Sequence, residues 1–215
     1  MTVDELIAIE RKYKEEHKNI RLVRVNGESM PDNLNDDIRF LNEGYFEKHH
    51  KIKPERKKKL AQKGLTEFEM VMLNSFLGGL SYAFKWSSYD DKDSPIPEMC
   101  DGLDSVLDKS PIYDEGGKLY RFCTRDDTLN FEVDKEYTFP HYLTTTKDNN
   151  WRDENHMYII TPKNESTNAR SIYKLQNHGN ENQVTFKRDT CFKITKVESY
   201  KTKYEEYKRI YMEEL

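Results

Sequence analysis

The hydrophobic pattern changes at Gly116-Gly117, and this change limits the folds open to the chain. Before the two glycines, apolar residues recur at helical spacing, most clearly from Thr66 to about Trp86. After them come short segments rich in aromatic and β-branched residues, separated by Gly, Asn, Asp and Lys, as is typical of strands. Helices followed by strands predict an α+β domain rather than a doubly wound sheet. The predicted strands cover 119–123, 137–146, 156–161, 171–175, 183–187, 191–197 and 207–212.

Two capping boxes predict where helices begin, at Thr2 and at Thr66. Each threonine stands three residues before a glutamate, so that the two side chains can each accept a hydrogen bond from the other residue's backbone N–H. The helix after Thr66 is the most apolar of the chain, and Gly78-Gly79 inside it weakens the helix while permitting close packing. A short helix is predicted around 103–107, after a loop rich in Ser, Asp and Pro.

Composition places the chain among globular proteins of ordinary size. Its 215 residues can bury a core, and aromatic residues make up 12% of them, which is not typical of a disordered chain. No apolar run is long enough to cross a membrane, and the acidic N-terminus does not have the pattern of a secretory signal. Three widely spaced cysteines and no ligand-like histidine spacing favour neither disulfides nor a metal site. We therefore expect a cytoplasmic protein without a metal.

The segment 48–63 is strongly basic. It holds eight Lys or Arg residues against Glu55 alone, a charge of +7 in a chain whose net charge is −4. Such a run can bind phosphates, although a solvated helix face or a linker is the simpler interpretation. The candidates for binding nucleic acid or a partner are Lys51, Lys53, Arg56, Lys57, Lys58 and Lys59.

The common catalytic motifs are missing, but three segments of the strand-rich half form a set. Glycine-rich nucleotide loops, zinc-protease, serine-hydrolase and kinase signatures do not occur. The first segment of the set places Arg121 in the middle of an otherwise apolar strand. The second runs from an aromatic strand into three hydroxyls at 144–146, and the third has Glu181 and Gln183 at the entry to an apolar strand.

In this order, the three segments resemble the Arg–Ser–Glu class of mono-ADP-ribosyltransferases, the cholera-toxin-like enzymes with an E-x-E motif. That family has an arginine on its first strand, a Ser-Thr-Ser triplet, and E-x-E before an apolar strand. The segments 103–111, 66–86, 170–173 and 189–194 are also similar to family elements. The resemblance implies a split antiparallel sheet that binds NAD, a catalytic domain over 65–215, and a separate N-terminal helical region over 1–64.

The resemblance also implies a role for each matching residue. Arg121, with Phe122 beside it, would bind NAD, since a guanidinium fork suits phosphate and ribose oxygens. Thr144 would hold the catalytic side chain in place, as the first hydroxyl of the family's triplet does. The two hydroxyls that follow, Thr145 and Thr146, would support the cleft, and Glu181 would position or deprotonate the acceptor.

Gln183 stands where the family has its essential glutamate. An amide can hydrogen-bond a ribose hydroxyl but cannot offset the positive charge that develops on the ribose as NAD is cleaved. The glutamine is either an engineered replacement or the mark of a naturally degenerate member. A third alternative makes Glu181 the catalytic carboxylate, since the period of a strand puts 181 and 183 on one face.

Two further features follow from the resemblance. Trp151 is the first candidate for stacking on the nicotinamide ring of NAD, and Tyr158 is the second, although either aromatic can equally be a core residue. The polar loop over 176–180, which includes His178, corresponds to the family's target-recognition loop.

The leading hypothesis is a cytoplasmic mono-ADP-ribosyltransferase that is impaired by Gln183. It would act on a protein side chain or a nucleic acid, as a toxin of a toxin–antitoxin system or an anti-phage effector, with an antitoxin protein as a further partner. The alternatives are a catalytically dead module that binds NAD or a protein, and a helical adaptor whose α+β domain matches the motifs by chance.

Overall fold

The structure is a computed structural model of the chain. It describes residues 1–16, 24–25, 28–29, 39–87, 96–123, 131–149, 156–201 and 206–215. The chain forms two compact units, Met1–Lys109 and Ser110–Leu215. The division predicted after residue 64 falls inside the first unit, and it stays a prediction about where the catalytic region begins.

The regular elements described in the first unit are helices and one short antiparallel ribbon. The core of this unit is formed by apolar residues of all six helices named below, with Leu6, Phe46, Leu60, Met72, Phe84 and Leu103 almost fully buried. The elements are α1 (Val3–Glu16), β1 (Arg24–Val25), β2 (Glu28–Ser29), α2 (Tyr45–His49), α3 (Pro54–Ala61), α4 (Glu67–Phe76), α5 (Ser81–Ser87) and α6 (Glu98–Lys109).

Both predicted capping boxes are present. The Thr66 amide donates to Glu69 over 2.6 Å, and the Glu69 amide donates back to the Thr66 hydroxyl over 3.3 Å. Thr2 and Glu5 make the same pair of bonds at the start of α1. The helix after Thr66 is shorter than predicted, because α4 ends at Phe76 and the chain turns at the two glycines before α5 begins.

The second unit is a mostly antiparallel sheet of eight strands, in the order β4-β9-β10-β6-β3-β5-β8-β7. Only β10 and β6 run parallel among its pairs of described strands. The strands are β3 (Leu119–Cys123), β4 (Glu136–Phe139), β5 (Leu143–Thr146), β6 (His156–Thr161), β7 (Ala169–Arg170), β8 (Gln183–Phe186), β9 (Thr190–Lys201) and β10 (Glu206–Glu214). This architecture confirms the predicted α+β class.

Two predicted strands are wrong in detail. The segment 137–146 is not one strand but two, β4 and β5, which lie at distant positions in the sheet. Pro140 lies between them, and a proline has no N–H to donate to a sheet. The segment 171–175 forms a short helix, α7 (Ile172–Leu175), since only Ala169–Arg170 pairs with β8. Short apolar runs of this kind fit a helix and a strand equally well.

The core of the second unit covers one face of the sheet. Its aromatic rings pack edge to face, with Phe186 against Phe192 at 5.0 Å and Phe139 against Phe192 at 5.6 Å between ring centroids.

The last strand of this unit carries a buried carboxylate, Glu214. Glu214 accepts hydrogen bonds from the Lys163 amide, the Thr167 hydroxyl and the Asn168 amide. The chain's last strand is therefore tied to the loop that precedes β7.

Candidate functional site

The sheet divides between β3 and β5, and Arg121 lies at the point of division. The two strands share one residue pair among the described residues, Tyr120 with Thr146. No further pair of described residues follows it, so the backbone ladder between β3 and β5 stops before Arg121. The Arg121 guanidinium donates to the carbonyl of Thr144 over 3.0 Å and so joins β3 to β5 beyond that pair. One donor of the guanidinium is used in this bond, and the side chain is half-buried.

The three hydroxyls of β5 act mainly on the neighbouring backbone. Thr145 donates to the Val184 carbonyl over 2.7 Å, and Thr146 donates to the Glu181 carbonyl over 2.7 Å. These bonds tie β5 to the start of β8 from both faces of the sheet. The Thr144 hydroxyl makes no hydrogen bond within the described parts of the chain, although its carbonyl receives Arg121. It is thus the member of the triplet whose hydroxyl is left to contact another group.

Gln183 is the first residue of β8 and lies opposite Thr146. Its side chain is 9% exposed, and its amide donates to the Thr185 hydroxyl over 3.1 Å. Thr185 is in turn opposite Thr144, so these four polar residues occupy one face of two neighbouring strands. The Gln183 side chain thus bonds to Thr185 of its own strand, and not to Thr144 as the resemblance implies.

Asn182 fixes the loop that carries Glu181 and Gln183. Its side-chain amide donates to Asp148 over 2.9 Å, and its backbone and side chain exchange two hydrogen bonds with Asn177. Its φ of +46° lies in the left-handed region, which Asn tolerates better than most residues. The chain at 181–183 is therefore not extended, and the strand-period argument that placed Glu181 and Gln183 on one face is wrong.

A charged cluster around Glu115 lies at the helix that precedes this loop. Glu115 accepts from Lys147 over 2.9 Å and from the Tyr173 hydroxyl, and Lys174 lies 3.2 Å away. Lys147 also lies over the Tyr173 ring, 4.7 Å from its centroid. The cluster joins the end of β5 to α7, which leads directly into the loop. Neither this cluster nor Asn182 was predicted, since both depend on pairs of residues about 30 or more positions apart.

The cluster gives the protein a specific acid response. The hydrogen bonds from Lys147 and Tyr173 lower the pKa of Glu115 to about 2. A lowered carboxyl pKa stabilises the fold above the unfolded-state value, about 4.3, and this stability is lost as the pH falls towards 2. We expect Glu115→Gln to melt below wild type at pH 7, with the difference shrinking between pH 4.3 and 2 in melting curves recorded by circular dichroism. A difference that stays constant over this range would contradict the role assigned to Glu115.

The other predicted NAD contacts lie in different surroundings. Phe122 is half-buried on β3 opposite Met157, one position beyond Arg121. Tyr158 is 2% exposed and belongs to the core, where Phe131 packs edge-on at 5.5 Å between centroids. The Tyr158 ring packs against other aromatic rings of the core, so it is not exposed for stacking on nicotinamide as expected. Trp151 lies outside the residues that the structure describes.

The predicted basic run lies in the first unit, partly on α3. Lys51, Lys53, Lys58 and Lys59 are exposed. Lys57 forms an ion pair with Glu67 at 2.7 Å, and Arg56 is half-buried, with burial lowering the pKa of its guanidinium.

Within the described ranges, no group of three or more His, Cys, Asp or Glu side chains could hold a metal ion. No helix there is both long and apolar enough to cross a membrane.

Similar folds occur among solved structures of ADP-ribosyltransferase toxins and of a type III effector. Plx2a, an ADP-ribosyltransferase toxin from Paenibacillus larvae, superposes with a TM-score of 0.56 at 15% identity, over 74% of this chain and 92% of that one. Exoenzyme S from Pseudomonas aeruginosa, solved with human 14-3-3 protein beta and carba-NAD, gives 0.53 at 14% identity, over 75% and 82%. The type III effector XopAI from Xanthomonas axonopodis pv. citri gives 0.62 at 12% identity, over the whole of both chains.

These similarities are structural only. No protein-family model matches the sequence, and no curated protein matches it. At identities of this size the solved structures establish the fold, which is that of ADP-ribosyltransferases, with helices and a mostly antiparallel sheet.

Proposed function

We propose that this protein is a mono-ADP-ribosyltransferase that binds NAD, cleaves its nicotinamide–ribose bond and transfers ADP-ribose to a macromolecule. One observation carries the proposal: the three segments singled out in the sequence lie on neighbouring strands of an ADP-ribosyltransferase fold. β3 brings Arg121, β5 brings the threonine triplet, and β8 brings Gln183, with β5 in the middle. Residues that are far apart in the chain thus border one division of the sheet.

The roles follow from the chemistry of these groups. Arg121 has donors beyond the one bonded to Thr144, and these can bind phosphate or ribose oxygens. The Thr144 hydroxyl, which makes no hydrogen bond in the described parts of the chain, would orient a carboxylate at position 183. Glu181 stands at the exit of the anchored loop, where it can contact an acceptor. Phe122 and Trp151 complete the proposed NAD contacts, with NAD as substrate and no metal required.

Gln183 limits the rate in this proposal. Cleavage of NAD builds positive charge on the ribose, and a neutral amide that already donates to Thr185 supplies no compensating charge. The chain as it stands therefore binds NAD and transfers ADP-ribose slowly. An active relative of this kind would serve as a toxin or anti-phage effector acting in the cytoplasm, with an antitoxin as its inhibitor and a protein side chain or a nucleic acid as its acceptor.

A titration of NAD into the purified protein by calorimetry tests the proposal directly. We expect saturable binding in the micromolar to millimolar range typical of enzyme substrates, with NADP and ADP-ribose titrated beside NAD to define which part of the dinucleotide is recognised. If no heat of binding is detected for NAD at millimolar concentration, the proposal is wrong.

A second candidate function is a binding module that has kept the fold and lost the chemistry. The buried, neutral Gln183 favours this candidate, because its side chain has a hydrogen-bond partner, Thr185, without any ligand. Such a module would bind NAD or a protein partner and release no nicotinamide under any condition. The variant discussed below separates the two candidates.

A further inference from the structure

Four exposed lysines lie on α3 and just before it, and the proposed transferase chemistry does not use them. They form a basic surface, which consists of Lys51 and Lys53, just before α3, and Lys58 and Lys59 within it. On a helix successive side chains are turned by about 100°. Leu60, 2% exposed, and half-buried Arg56 mark the inner side of α3, so Lys58 points almost directly away from it.

The charge of this surface is not compensated locally. Lys57 is neutralised by Glu67, whereas the four lysines of the basic surface have no ion pair within the described parts of the chain. The only acidic residue of the segment 48–63 is Glu55. The segment carries +7, so the remainder of the chain must carry −11 to give the net charge of −4. A concentrated positive patch on an otherwise acidic protein attracts a polyanion.

The surroundings of the basic surface distinguish among polyanions. Binding to an anionic membrane is strengthened by apolar side chains that enter the lipid. The exposed large hydrophobic residues of the described ranges, Met1, Ile112, Val133 and Leu215, all lie outside this segment. A duplex is stiff over about 150 base pairs, so it touches a short convex helix at few phosphates. A flexible single strand can follow lysines that point in several directions.

We infer that the basic surface binds single-stranded nucleic acid through its phosphates, without reading its sequence. Neither base-edge donors nor exposed aromatic platforms are needed for this contact, since lysine acts on phosphate as a point charge. The inference is independent of NAD cleavage, because it concerns residues of the first unit only.

The test is fluorescence anisotropy with a labelled 20-nucleotide RNA, in the absence of NAD, from 50 to 200 mM salt. The variant changes Lys51, Lys53, Lys58 and Lys59 to Gln together. Its matched control changes four exposed lysines elsewhere to Gln, which alters the net charge equally; these are Lys12, Lys118, Lys135 and Lys201. Circular dichroism establishes that both proteins are folded. A 20-base-pair duplex and vesicles with anionic lipids are measured in parallel.

We expect the variant to bind RNA at least tenfold more weakly than wild type at about 100 mM salt. The logarithmic salt slope should fall in magnitude by about 3, or roughly 0.7 for each phosphate that a lysine no longer neutralises. The control should stay close to wild type. The inference is overturned if wild type does not bind the RNA, if variant and control lose affinity equally, or if the duplex or the vesicles are bound more tightly than the single strand. None of these results bears on NAD binding, which calorimetry decides separately.

Discussion

The Gln183→Glu variant is expected to cleave NAD about 10²–10⁴ times faster than the chain as it stands, because a carboxylate at this position offsets the positive charge of the reacting ribose. The site can accept the exchange. The Thr185 hydroxyl, which now accepts from the Gln183 amide, can turn and donate to a carboxylate instead. Nicotinamide release from labelled NAD measures the rate, and incubation with protein and RNA extracts identifies the class of acceptor.

The matched control is Gln62→Glu, the same exchange at an exposed glutamine of the first unit. It should leave the rate unchanged, which separates a local carboxylate from a general change in charge. A Gln183→Glu protein that binds NAD and still releases no nicotinamide contradicts the transferase proposal and supports the binding module. Glu181→Gln tests the third alternative, since a catalytic Glu181 requires this change to abolish whatever activity the chain has.

The second large effect is expected at Arg121. Replacing Arg121 with Met should weaken NAD binding about 10- to 100-fold, because hydrogen bonds to charged groups contribute roughly 1.5–3 kcal/mol each. Arg121→Lys should recover only part of the affinity, since an ammonium keeps the charge but not the planar fork. Calorimetry with NAD gives the dissociation constant for each protein.

Arg121 also holds β3 to the Thr144 carbonyl, so its loss has to be separated from damage to the fold. Arg188→Met is the control: Arg188 is a half-buried arginine of the same unit, and its guanidinium lies 5.7 Å from the centroid of the Tyr142 ring. It should bind NAD as wild type does. Equal NAD affinity in Arg121→Met and wild type, with both proteins folded, would remove Arg121 from the proposed site.

Much of the fold can be predicted where a local pattern decides the structure. The capping boxes at Thr2 and Thr66 specify their own hydrogen bonds within four residues, and both are present. The division of the segment 137–146 into β4 and β5 could not be predicted with the same ease. Aromatic and β-branched residues flank Pro140 on both sides. Only the pairing of β4 with β9 and of β5 with β8 shows that two strands end and begin around this proline.

The candidate site shows the same limit. The order of its three segments can be read from the sequence, because each carries its own residue types. The orientation of Gln183 cannot, since it depends on the left-handed backbone of Asn182 and on the contact of that residue with Asp148. A loop rich in Gly and Asn permits many such turns, and the one that occurs is selected by tertiary contacts.

The single residue pair between β3 and β5 has a consequence for how this unit opens. Five strands lie on one side of the pair and three on the other, and each group has continuous ladders within itself. Cooperative segments of a protein separate where few interactions join them. Amide hydrogens on the two sides of the pair Tyr120–Thr146 should therefore exchange with solvent in two separate sets, with β5, β8 and β7 opening together while the larger group stays closed.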